Sequence, residues 1–115
     1  KQITVNFIKE KTKLGKKIFL YGASTKGNTL LQYYGLTNNE IPFASERTKT
    51  KWGKYTIGSG IKILSEENAR KLKPDYFFVM PYGFIKEFIN REKEWLKKGG
   101  KFILPYPNFK IIKNK

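Results

Sequence analysis

Short apolar runs alternate along the chain with segments whose apolar residues recur at helical spacing. The runs have the length of buried strands and predict strands at residues 17–21, 41–45, 61–64, 76–80 and 101–104. The segments between them predict helices, one around residues 30–34, one that Ser65 caps and Pro74 ends, and one over residues 84–96. Leu72 of the second helix is expected to point inward, and Glu87 and Arg91 of the third are expected to form an i,i+4 pair on its outer side. The chain is therefore expected to repeat a strand–helix unit.

Strands that alternate with helices over short loops are typical of a parallel sheet whose right-handed crossovers cover both of its faces. We therefore predict an α/β fold, specifically a Rossmann-like three-layer sandwich with a mostly parallel sheet. The 115 residues suit a single core, which we assign to residues 15–115. Residues 1–14 mix strand and helix spacing and lack an initiator methionine, so we interpret them as a truncated linker or helix from a preceding domain.

Two residue types that carry much enzyme chemistry are missing, because the sequence contains no cysteine and no histidine. The chain therefore has no disulfide and no thiolate, and it lacks the commonest metal ligand. We expect neither a metal site nor a self-sufficient hydrolase. The apolar runs are far shorter than the roughly 18 residues that cross a bilayer, and the N-terminus does not resemble a signal peptide. We expect a cytoplasmic protein without membrane contact.

The turn after the first predicted strand carries the strongest binding signal. Gly22, Ser24 and Gly27 occupy the three glycine positions of a G-x-G-x-x-G fingerprint, with serine in place of the middle glycine. Free N–H groups at the start of the following helix can receive a phosphate, and Lys26 adds positive charge. A second interpretation is that Ser24 or Thr25 only caps the helix while the glycines form a turn.

An acidic residue follows the second predicted strand, where dinucleotide-binding folds place a carboxylate for ribose hydroxyls. Glu46 lies 19 residues after Gly27, a spacing close to that pattern, although a lone surface glutamate is an equally simple interpretation. Arg47 and Lys51 beside it would attract an anionic ligand. Tyr82 is expected to project near the same crevice.

At this turn the sequence also resembles a known family. Residues 21–31, YGASTKGNTLL, are similar to the Y-G-A-x-x-K-G-N-x-L-L opening of the C-terminal domain of C-methyltransferases that act on nucleotide-linked sugars. The likeness spans roughly residues 15–112 in order, and it continues through Glu46-Arg47, Lys51, 53–55, Gly58, 61–63, 73–76, 80–82 and 99–105. A match of this extent is far more specific than one glycine motif.

The resemblance implies a longer parent enzyme of three parts. An N-terminal cysteine-ligated zinc region and a central S-adenosylmethionine (SAM) domain would precede this one, and the central domain would hold both the methyl donor and the catalytic base. The methyl group would go to a sugar carbon next to a keto group, after deprotonation to an enolate. The implied partners of this chain are a nucleotide-diphosphate sugar and the preceding SAM-binding domain. SAM would not bind this domain, and no catalytic residue is expected in it.

The resemblance also implies where a ligand would lie. Its diphosphate would lie at the turn after the first strand, and Glu46 and Lys51 would lie at the adjoining loop. The full set of candidate substrate-binding residues is Gly22, Ala23, Ser24, Lys26, Gly27, Asn28, Glu46, Arg47, Lys51 and Tyr82. Three positions depart from the family pattern: Glu46 replaces a frequent aspartate, Tyr82 a usual tryptophan, and Ile57 a common proline.

Two other functions stay open at this point. The first is an NAD-binding domain of an oxidoreductase that uses Gly22, Gly27 and Glu46, although Ser24 suits a dinucleotide less well than glycine. The second is a basic nucleic-acid-binding module, which the net charge of +15 suggests. No helix-turn-helix, RRM or zinc-finger pattern accompanies that charge, so we do not expect nucleic-acid binding.

Overall fold

The computed structural model describes residues 1–79, 85–105 and 108–114, with Thr25 and Lys26 described through their backbone only. Its helices are α1 (Gln2–Lys13), α2 (Thr25–Tyr34), α3 (Glu66–Lys71), α4 (Ile85–Arg91) and α5 (Lys93–Lys97), with a short 3-10 helix at Lys49–Lys51. Its strands are β1 (Ile18–Tyr21), β2 (Phe43–Glu46), β3 (Lys62–Ser65), β4 (Tyr76–Val79), β5 (Lys101–Leu104) and β6 (Lys110–Lys113).

The strands form one six-stranded sheet in the order β3-β2-β1-β4-β5-β6. Every neighbouring pair is parallel except β5 and β6, which are antiparallel. The chain winds from β1 outward to β3 and then returns to place β4 on the other side of β1. The prediction of an α/β fold with a mostly parallel sheet is therefore confirmed, and the switch in strand order lies between β1 and β4.

Side chains of the central strands alternate between two cores. Ile18 and Leu20 of β1 pack in one core with residues of α1 and α2. Phe19 and Tyr21 of the same strand pack in the other core with residues of α3, α4 and α5. Because helices cover both faces of the sheet, both sets of strand residues are apolar, and this explains the continuous apolar runs in the sequence.

The N-terminal segment is a helix that packs on the sheet. Val5 and Ile8 of α1 are buried in the same core as Ile18. The Phe7 ring meets the ring of Tyr76 of β4 edge-on, with 5.4 Å between centroids. The predicted origin of this helix in a preceding domain stays a prediction.

Three details differ from the sequence expectations. The predicted helix over 84–96 is two helices, because the chain breaks its helical course at Glu92, between α4 and α5. Leu72, expected to point inward, is 41% exposed since it lies just beyond the end of α3. Strand β6 was not predicted, because its two isoleucines lie between lysines on an edge strand and are only half-buried.

The longest helix among the described residues is α1, with 12 residues. Within the same residues, no helix combines the length and the apolar character that a bilayer span requires.

Glu92 is buried at the break between α4 and α5 and binds two distant elements. Its carboxylate accepts the Tyr21 hydroxyl at 2.8 Å and the Arg70 guanidinium at 2.9 Å and 2.6 Å. Burial, followed by the charge of Glu92, raises the pKa of Tyr21, so the hydroxyl stays protonated and donates. The hydrogen bonds to Glu92 raise the pKa of Arg70, so its guanidinium stays charged. This cluster ties β1, α3 and the α4–α5 break together.

Replacing Arg70 by alanine is expected to lower the free energy of unfolding by about 2–3 kcal/mol, because the buried Glu92 carboxylate loses its charged partner. The matched control is Lys71→Ala at the next position, which removes only an exposed pair with Glu67 at 3.6 Å and should cost less than about 0.5 kcal/mol. Urea unfolding measures both values. Equal losses in the two variants would contradict the role given to the buried cluster.

Candidate functional site

A cleft of about 500 Å³ opens beyond the carboxyl ends of β1 and β2. Residues 21–24 and 45–48 form two of its walls, Lys51 and Glu66 line it, and α4 closes it through Glu87, Phe88 and Arg91. In open parallel sheets, ligands bind outside the carboxyl ends of the strands near the switch in strand order. The cleft has this position, so we take it as the candidate site.

The turn after β1 combines a glycine kink with a helix cap. Gly22 has a φ of +87°, which only glycine adopts readily, and its N–H donates to the Ser45 carbonyl at 2.6 Å. Ser24 caps α2, because its Oγ accepts the Gly27 N–H at 3.0 Å. Ser24 is therefore the helix cap that the second interpretation expects, and the structure does not test whether capping is its only role. The cap occupies the Gly27 N–H, and phosphate binding at this turn stays a prediction.

Glu46 fastens the loop after β1 to the loop after β2. One carboxylate oxygen accepts the Ala23 N–H at 2.7 Å, and the other accepts the Thr48 N–H at 2.9 Å. Burial alone would raise the pKa of Glu46, but these two N–H groups and the charge of Lys51 lower it below its ordinary value. The carboxylate is therefore ionised and structural, and a ribose contact for Glu46 stays a prediction.

Lys51 and Trp52 also hold the loops after β1 and β2 together. The Lys51 ammonium donates to the Ala23 carbonyl at 3.2 Å, so the backbone around Ala23 is held at both its N–H and its carbonyl. The Trp52 indole N–H donates to the Glu46 carbonyl at 2.7 Å. The short 3-10 helix at Lys49–Lys51 therefore places a cation beside the turn after β1.

Asn28 contacts the loop around Gly58, which lies away from the cleft. Its side-chain amide donates to the Ile57 carbonyl at 2.9 Å, and its oxygen accepts the hydroxyl of the buried Ser59. Gln32, one helical turn on, donates to the same Ile57 carbonyl at 2.7 Å. Asn28 therefore holds the loop that contains Gly58 against α2 and does not line the cleft.

The structure brings most of the candidate residues together. Six of them line the cleft, namely Gly22, Ala23, Ser24, Glu46, Arg47 and Lys51. Gly27 and Asn28 lie behind them in the first turn of α2. The side chain of Lys26 and all of Tyr82 lie outside the described residues, so their predicted roles stay predictions.

Arg91 is a cleft residue that the sequence did not single out. Its guanidinium donates to the Tyr21 hydroxyl and to Glu66, both at 3.3 Å, and to Glu87 at 2.6 Å. Burial alone would lower the pKa of Arg91, but these three partners raise it, and it stays charged. The spacing from Glu87 predicts the helical ion pair correctly. The same spacing does not show that the face of α4 that carries Glu87 and Arg91 lies against the end of β1.

The cleft carries cations and carboxylates in comparable number. Arg47, Lys51 and Arg91 supply positive charge, and Glu46, Glu66 and Glu87 supply negative charge. In the part of the chain that the structure describes, no cluster of three or more potential metal ligands occurs. The guanidinium and ammonium groups in this cleft suit the binding of an anion.

Comparison with known proteins identifies the family. Residues 1–107 match the family described as the C-methyltransferase C-terminal domain. The chain belongs to this family. It is 44% identical over 98 residues to the C-methyltransferase NovU of Streptomyces niveus. That alignment covers 85% of this chain and 23% of NovU, so this C-methyltransferase C-terminal domain spans less than a quarter of the relative that it matches. The predicted family resemblance is confirmed.

Replacing Glu46 by glutamine is expected to lower the free energy of unfolding by about 1–3 kcal/mol, because the amide offers one acceptor where the two N–H groups need two. The pH dependence should change as well. A carboxyl whose pKa is lowered on folding adds stability above its unfolded pKa, about 4.3, and that stability is lost as the pH falls below it. The variant should therefore lose less stability on acidification than the wild type.

The matched control for Glu46 is Glu67→Gln, whose carboxylate is exposed and pairs only with Lys71 among the described contacts. Urea unfolding from pH 6 down to about pH 3 measures all three proteins. If wild type and Glu46→Gln show the same acid dependence, the carboxylate does not join the two loops.

Proposed function

We propose that this domain binds a nucleotide-diphosphate sugar for a SAM-dependent C-methyltransferase. The family match and the likeness to NovU support the reaction class, and the cleft beyond β1 and β2 supports a ligand site in this chain. In the longer protein, a preceding domain holds SAM, which supplies the methyl group, together with the base that removes a proton from the sugar carbon. This chain holds the nucleotide end of the substrate against that domain.

The observation that carries this proposal is that two cations, Lys51 and Arg47, line the cleft beyond β1 and β2. Lys51 reaches the Ala23 carbonyl at 3.2 Å, and Arg47 lines the same cleft. A diphosphate is an anion that such groups recognise by charge-assisted hydrogen bonds. The volume of about 500 Å³ lies within the range of small-molecule sites.

The structure favours a sugar nucleotide over NAD at one residue. The NAD hypothesis gives the Glu46 carboxylate to ribose hydroxyls. In the structure, each oxygen of that carboxylate already accepts a backbone N–H, and the residue is buried. Phosphate recognition does not require a free carboxylate at this position, so it is compatible with the contacts that Glu46 makes.

Titration of the ¹⁵N-labelled chain with a thymidine diphosphate sugar is expected to move the amide signals of residues 22–24 and 46–48. Lys51→Gln should raise the dissociation constant roughly three- to tenfold, because one charged contact is lost. Lys54→Gln is the matched control, since Lys54 is exposed and does not line the cleft. NAD, titrated in parallel, is expected to bind less tightly.

Three results would overturn the proposal. The first is that no amide signal around the cleft moves at millimolar ligand. The second is that signals move only outside the cleft, and the third is that NAD binds more tightly than the sugar nucleotide. Equal weakening by Lys51→Gln and Lys54→Gln would instead indicate that net charge alone attracts the ligand.

A further inference from the structure

Two arginines from different elements converge on one carboxylate oxygen at the edge of the cleft. The Arg91 guanidinium, at the end of α4, donates to Glu87 Oε1 at 2.6 Å. The Arg47 guanidinium, just after β2, lies 3.7 Å from the same oxygen. Guanidinium groups that converge on one anionic oxygen are an arrangement that proteins also use to bind phosphoryl oxygens.

Arg91 is fixed in this position from behind. The Tyr21 hydroxyl and the Glu66 carboxylate each accept its Nη1 at 3.3 Å, and its side chain is 19% exposed. The guanidinium also lies over the Phe88 ring, 5.5 Å from the centroid. Its Nη2, the atom bound to Glu87, is therefore oriented before any ligand arrives, and little side-chain freedom remains to be lost on binding.

Glu87, in contrast, is held weakly. Its side chain is 58% exposed, and its two described ion pairs are with Arg91, in an i,i+4 pair on α4, and with Arg47, which is 65% exposed. Exposed helical ion pairs of this kind stabilise proteins only slightly. A ligand with more negative charge and more acceptor oxygens than a carboxylate can therefore displace it.

We propose that the Glu87 carboxylate occupies the position of a ligand phosphate between Arg47 and Arg91. Arg91 is then a phosphate-binding residue, and Glu87 is an internal anion that competes with the ligand. This inference rests on the proposed function, because that function supplies the ligand class, a nucleoside diphosphate. The exchange is reversible and forms no covalent bond: one anion leaves the two arginines, and another takes its place.

The test compares inorganic pyrophosphate and a thymidine diphosphate sugar on wild type and variants, with dissociation constants from NMR titration. Glu87→Gln removes the competing charge and should tighten binding of both ligands about two- to fivefold. Glu94→Gln is the matched control, because Glu94 is also exposed, pairs with Lys97 on the next helix and lies outside the cleft. It should leave both constants unchanged.

The arginines supply the opposite test. Arg47→Gln and Arg91→Gln should each raise the dissociation constants of both ligands about tenfold. Arg91→Lys should recover part of the lost affinity. Lys97→Gln controls for the loss of one positive charge outside the cleft. Because Arg91 also contacts buried groups, its variants are checked by thermal unfolding. Arg47 is exposed, and its variant keeps the test valid if Arg91→Gln does not fold.

The outcomes separate this inference from the proposed function. If the sugar nucleotide binds the cleft and neither Glu87→Gln nor Arg47→Gln changes its affinity, the inference is wrong and the proposed function stands. If both ligands respond to these variants but the sugar nucleotide binds no tighter than pyrophosphate, the anion position is supported and the nucleotide assignment is not. If neither ligand binds wild type or Glu87→Gln, both are wrong.

Discussion

The candidate site depends on one buried carboxylate. A charged group removed from water must receive hydrogen bonds, and Glu46 receives them from the backbone N–H groups of Ala23 and Thr48. The parallel pairing of β1 and β2 places Tyr21 opposite Ser45, so the two loops that follow begin side by side. Glu46 then joins the two loops, and Lys51 adds a cation beside them. The cleft is therefore formed by the fold itself, and a ligand need not order these loops when it binds.

Most of the fold could be predicted because its cause is local and repeated. β1 and β4 are apolar on both faces since helices cover both faces, and this leaves runs that are visible in the sequence. The missed features depend on distant partners. The break between α4 and α5 lies at Glu92, which is bound by Tyr21 and Arg70, residues far away in the chain. Strand β6 forms because β5 offers it a free edge, and its own pattern of lysines and two isoleucines is weak.

The candidate site divides in the same way. The glycine spacing located the turn after β1, and the interval from Gly27 to Glu46 placed an acid beside it, as the structure confirms. The partners of that acid could not be predicted, because nothing in the sequence tells a backbone N–H from a ribose hydroxyl as the donor. Arg91 was missed for a related reason. Its pairing with Glu87 is a local helical pattern, whereas its position in the cleft follows from how α4 packs on Tyr21.

In the division of labour that we propose, this domain holds the nucleotide end of a substrate and a neighbouring domain carries out methyl transfer. The proposal requires that the cleft receives a diphosphate. A crystal structure of the chain with a thymidine diphosphate sugar tests this most directly. We expect phosphate density between the turn after β1 and Arg47. Phosphates bound elsewhere, for example in the hollow beside Trp95 at the amino ends of β4 and β5, with the cleft empty, would contradict it.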